Sequence, residues 1–192
     1  MFARLLKSLP LIVLGTGLFG GVAVGQDYQL KFKPDNPDDI LALKWEDLMS
    51  RADLDAILNA PPVSHDGFGW EDQLSESSPE NDAFQKALQS FDVNPDLLDE
   101  RVLLPGFIVP TAYNDERKVT EFFLVPFFGA CIHVPPPPPN QIIHVTYEPG
   151  LEQYNMYDAY YVLGFLSSQV VRHELANSAY SLQAEHVELY DY

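Results

Sequence analysis

The chain has 192 residues, enough for one domain with one core, and carries 28 Asp and Glu against 11 Lys and Arg, a formal charge of −17 at pH 7. Such a surface repels nucleic acid and anionic membrane and favours cationic partners, from metal ions to basic proteins. A single cysteine excludes an internal disulfide, so stability rests on a core that twelve Phe and ten Tyr make rich in rings.

The first 25 residues read as a secretory signal peptide. Arg4 and Lys7 form a basic start, Leu9 to Val22 is an apolar run too short for a comfortable membrane span, and Ala23-Val24-Gly25 offers small residues before Gln26. Cleavage there predicts a periplasmic protein that is not integral to the membrane; an uncleaved anchor is the alternative. No cysteine follows the apolar run to take a lipid.

Residues 26–100 form an acidic, helical N-terminal region. Lys33 to Asp39 mixes charges with Pro34 and Pro37 and predicts an extended arm. From Ile40 to Ala60 the apolar residues Trp45, Leu48, Met49, Leu54, Ile57 and Leu58 fall at helical spacing, until Pro61-Pro62 stops them. Residues 61–81 predict an acidic loop containing His65 and Asp66, and a helix then runs from Asn81 or Asp82 to about Phe91.

Residues 101–192 change character. Val102–Pro110 and Val119–Pro126, joined by the polar turn Asn114–Lys118, predict a β-hairpin. Phe127–Val134 continues as strand or bend. Ile142–Tyr147 predicts a strand ended by a turn at Glu148-Pro149-Gly150. Residues 157–173 predict a strand bent at Gly164, and 179–190 a last strand. The sum is an α+β chain: short helices, then a small, mostly antiparallel sheet or barrel.

Between these strands lies Ala130-Cys131-Ile132-His133-Val134, followed by Pro135 to Pro139, Asn140 and Gln141. Five prolines cannot form helix or central strand, so the run is a stiff, extended connector of polyproline II type. If the stretch before it is extended, Cys131 and His133 project to one face. Thiolate and imidazole suit zinc, and His144 from the next strand and His65 from the acidic loop are the further candidate ligands. Several alternatives stand beside this metal reading. Cys131 can be a buried small hydrophobe with His133 bonded to backbone, it can be a nucleophile activated by His133 and oriented by Asn140, or it can pair with another molecule. The proline run can dock into a partner's aromatic groove or pack against the chain's own rings. His173 and His186 sit among Glu174, Glu185 and Glu188 and read as solvated surface. Tyr154, Tyr157, Tyr160 and Tyr161 suit either a ligand face or the core. No serine-hydrolase elbow, phosphate loop or zinc-protease helix is present.

The segments Leu104–Pro110, Glu121–Pro126, Phe128–Val134 with its prolines, and Asn140-Gln141 resemble a proteobacterial family, the domain of unknown function numbered 3299. The likeness continues more weakly through Val162–Leu166 and Ala179–Leu182. It implies an exported protein with an OB-like barrel and no transferable catalytic role. It also implies an accessory or binding function beside ABC-type membrane transporter components that handle metal, zinc above all. The competing class is a thiol-dependent enzyme or redox protein using Cys131.

Overall fold

A computed structural model describes residues 30–60, 79–130 and 137–190. The expected signal peptide, the loop segment with His65, and Cys131 and His133 lie outside the described residues. An arm from Leu30 leads through a 3-10 turn at Pro37–Asp39 to the two-residue strand β1 (Leu41–Ala42) and a second 3-10 turn at Trp45–Leu48. Helix α1 (Arg51–Leu58) starts where the Ser50 hydroxyl accepts the Asp53 amide at 3.1 Å. Helix α2 (Pro79–Ala87) begins two residues before the expected position, because proline suits the first helical turn. It also stops short of Phe91: Gln89 and Ser90 tighten the last turn onto Lys86 O and Ala87 O.

The second half folds as β2 (Arg101–Tyr113), β3 (Val119–Val125), β4 (Ile143–Leu151), β5 (Ala159–Ser167), the short pair β6 (Val171–Arg172) and β7 (Asn177–Ser178), and β8 (Tyr180–Leu189). Five of these close into a barrel in the order β2-β3-β4-β8-β5 and back to β2. Four seams are antiparallel and β4–β8 is parallel. The fold is thus α+β with a mixed barrel. A closed ring with an odd number of strands must contain a parallel seam, and sequence patterning carries no sign of that parity.

Period-two alternation fills the barrel. Val102, Leu104 and Ile108 of β2, Phe122 and Leu124 of β3, Ile143 and Val145 of β4, Val162 and Leu166 of β5, and Tyr180 and Leu182 of β8 share one buried cluster. The expected hairpin forms, turned by Asn114, whose carbonyl accepts the Arg117 amide and whose side chain accepts the Lys118 amide. The expected bend at Gly164 is a bulge: Leu163 opposes His186 while Gly164 opposes Ala184, leaving Glu185 unpaired in the ladder. The backbones meet so closely there that a Cβ on Gly164 would lie 2.2 Å from the Gln183 carbonyl oxygen. The turn expected at residues 148–150 does not end β4. The step of two residues along β3 from Val119 to Glu121 matches a step of five along β4 from Leu151 back to Thr146. Pro149 and Gly150 (φ 72°) form the excursion, and the strand resumes beyond it.

The helical region is bonded to the barrel through the end of the proline run. Pro138 keeps polyproline geometry (φ −55°, ψ 149°), and Pro139–Gln141 make a 3-10 turn. Asn140, fully buried, donates from Nδ2 to Asp53 Oδ2 on α1 at 2.9 Å and to Asp92 O at 3.0 Å. Gln141 Nε2 donates to Trp45 O at 2.8 Å. Pro139 O accepts the Ala179 amide at 2.8 Å, just ahead of β8. Tyr180, with no exposed surface, donates from its hydroxyl to Leu48 O at 2.7 Å and accepts the Asn94 amide at 2.7 Å. Burial pushes its phenol up to about 12.

Three outcomes are expected. Gly164→Ala forces the β5 and β8 backbones apart and lowers stability by ~1–3 kcal/mol; an unchanged urea midpoint would refute the close approach. Asn140→Ala leaves the Asp53 carboxylate without its amide donor and costs ~1–3 kcal/mol. In a double-mutant cycle with Asp53→Ala the pair should couple by ~0.5–3 kcal/mol, and strict additivity would show that the bond contributes nothing. The third concerns pH. Tyr180 holds its proton more tightly folded than unfolded, so its contribution is complete below pH 10 and is lost as pH rises towards 12. Alkaline unfolding of Tyr180→Phe should be less steep over that interval than that of the wild type.

Candidate functional site

The outer face of β3 and β4 carries the one predicted ligand among the described residues. His144 opposes Phe123 in the ladder, and both point away from the barrel interior that Ile143 and Val145 fill. Glu121, two residues before Phe123, lies on the same face and reaches His144 diagonally: Nε2 is 3.2 Å from Glu121 Oε2. The His144 side chain is 13 % exposed and that of Glu121 47 %. A hydrogen bond to the carboxylate places the imidazole proton on Nε2 and leaves the Nδ1 lone pair available.

Phe123 is fully buried and meets two imidazoles edge to face. His144 and His173 each lie with ring centroids 5.7 Å from it, at 68° and 73°. His173 follows β6; its Nδ1 accepts the Leu175 amide at 3.2 Å. It also lines a groove of about 420 Å³ with Leu88, Phe91, Pro137, Pro139 and Ile142. Arg172 stacks its guanidinium 5.1 Å above the Phe91 ring. His173 is exposed, as its surface reading expects, and its ring also meets Phe123 edge to face. Pro137 and Pro138 are buried, so this end of the proline run packs against its own protein.

Phe123, Val125, Ile142 and Ala130 form one buried cluster. Ala130, the last described residue before Cys131 in the sequence, belongs to the cluster that His144 and His173 border. Among the described residues no three of His, Cys, Asp and Glu converge as a metal-holding group. Asn140, the expected orienting group for a nucleophilic Cys131, has its Nδ2 committed to Asp53 and Asp92, while its buried Oδ1 has no partner among the described residues.

Glu121 was not singled out by the sequence. Its signal is only a position two residues from Phe123, and pairing it with His144 needs the β3–β4 register. The other histidine, His186, bonds Glu188 at 3.0 Å. Of the tyrosines, Tyr160 and Tyr161 are buried and Tyr157 is exposed. Tyr154 is held neutral to about 12, first by its hydrogen bond with Tyr113 and then by burial. Among the described residues no helix is long and apolar enough to cross a membrane.

A family model described as a protein of unknown function, DUF3299, matches residues 45–189. The crystal structure of a DUF3299 family protein from Pseudomonas aeruginosa PAO1 is similar over 80% of this chain and 96% of that chain, with 34% identity and a TM-score of 0.56. A protein from Leishmania major Friedlin, named for aspartyl-tRNA synthetase, overlaps 68% of this chain and 23% of that one at 13% identity. Its TM-score of 0.33 carries no argument. No curated protein matches the chain. The family match runs from the turn at Trp45 to the end of β8, and the chain belongs to the DUF3299 family.

Proposed function

We propose that this protein is an exported, non-enzymatic accessory or binding protein of the periplasm that holds a zinc ion beside the β3–β4 face, in support of ABC-type metal transport. The observation that carries the metal reading is the Glu121–His144 pair. A carboxylate that fixes one imidazole nitrogen leaves the other as a directed ligand, the usual support for a zinc-bound histidine. Cys131 and His133 are the proposed thiolate and second imidazole, with His65 as a further ligand. A barrel in which a long first strand pairs with two neighbours and one seam is parallel supports an OB-like reading, a fold that serves mainly as a binding module. That support is analogy of fold, so function has to be tested at the site.

Elemental analysis of purified protein, with zinc titrated at micromolar concentration, decides the matter. Wild type should hold about one zinc per chain, while His144→Ala and the pair Cys131→Ser with His133→Ala should lose it. Glu121→Gln should weaken affinity ~10- to 100-fold. Wild type that neither contains zinc nor takes it up would sink the metal reading. If that same metal-free protein reacts rapidly with a thiol reagent while native, the thiol-dependent class replaces it.

A further inference from the structure

The arm before β1 is held by a side chain of β8. Both oxygens of the Glu188 carboxylate on β8 accept successive backbone amides of the arm: Oε1 takes Lys31 N and Oε2 takes Phe32 N, each at 3.0 Å. His186 bonds the same Oε2 at 3.0 Å and stacks its ring on Phe32, with centroids 4.2 Å apart and planes 18° from parallel. One carboxylate thus organises two backbone donors and a ring pair, and its side chain is only 11 % exposed. Further along, Arg101 Nη1 donates to Asn36 O at 3.2 Å while its Nε lies 2.6 Å from Glu185. Glu185 is the residue that the Gly164 bulge leaves out of the ladder.

Pro34 and Pro37 have no amide to donate, and residues 30–40 form no strand with the barrel. Leu30 and Ile40 lie over a patch of Leu103, Tyr161 and Leu163, packed beside Tyr190. The strands beneath are paired to one another by their own ladders, β2 with β5 and β5 with β8. Removing the arm breaks none of those bonds.

We propose that residues 30–40 form a detachable strap whose hold on the barrel passes through the Glu188 carboxylate, so that it lifts from β2, β5 and β8 without the barrel opening. Lifting uncovers the apolar patch of Leu103, Tyr161, Leu163 and Tyr190, and frees the Lys31 and Lys33 peptide bonds for proteolysis. The strap differs from the metal face of β3 and β4 and stands or falls independently of it.

Amide hydrogen exchange on the full chain tests the idea, comparing wild type with Glu188→Ala, Glu188→Gln and Phe32→Ala. In Glu188→Ala, the amides of Lys31 and Phe32 should exchange at least ~10-fold faster, since two bonds to a charged acceptor are lost. Exchange within β2, β5 and β8 should stay at the wild-type rate. Glu188→Gln keeps one acceptor and should fall between; Phe32→Ala loses the ring stack and should loosen the arm alone. An arm that exchanges no faster in Glu188→Ala overturns the proposal. So does a barrel that loosens in step with the arm in every variant, because Glu188 would then belong to the core rather than to a strap.

Discussion

Within the closed ring, the thirteen-residue strand β2 is shared between two neighbours, and closure of the barrel depends on that sharing. Arg101 to Phe107 pair with β5, and Phe107 to Tyr113 pair with β3. Phe107 stands at the exchange point, opposite Ala159 on one side and Val125 on the other. A strand that changes partners midway must twist strongly, and closing the ring removes the exposed edges that an open sheet would present. The inner face of the strands is buried and the outer face is covered in part. The interior takes the large cluster, and two smaller clusters lie outside it, one under the arm and one under the segment between β3 and β4.

The family signature gains a physical reading from this arrangement. A stiff proline run ends in a turn whose two polar side chains bond the helical region, while its carbonyl bonds the approach to β8. Asn140 and Gln141 are buried amides that donate to Asp53, Asp92 and Trp45. Their merit is directional, because each amide must find a particular carbonyl or carboxylate, and this fixes how helices and barrel meet. Proline before them lowers the number of conformations from which that fit is reached.

Much of this was legible in the residues. Alternating β-branched and aromatic positions located β2, β3, the start of β4, β5 and β8, and the lone glycine in an aromatic run marked the bulge at Gly164. What could not be read is mostly pairing. The five-residue polar turn Asn114–Lys118 fixes the register of β2 against β3, but the long proline-bearing connection fixes nothing about β3 against β4. For that reason His144 was visible as a candidate while Glu121 was not. The same limit hid the contact of His173 with Phe123, and the use of Pro149-Gly150 as an excursion inside a strand rather than its end. Tertiary pairing decided each of these after local propensity had offered a reasonable alternative.

Tyr180 has a consequence for the order in which the molecule is made. Its hydroxyl reaches Leu48, 132 residues earlier, and Glu188 reaches Lys31 across 157 residues. β8 also completes the ring between β4 and β5. A chain emerging N-terminus first therefore carries its helical region, β4 and β5 without their final partner until β8 has appeared. Loop closure over such separations is slow, and unpaired apolar strands wait meanwhile. Closure of the ring therefore waits for β8, and until it arrives the free edges of β4 and β5 are open to wrong partners.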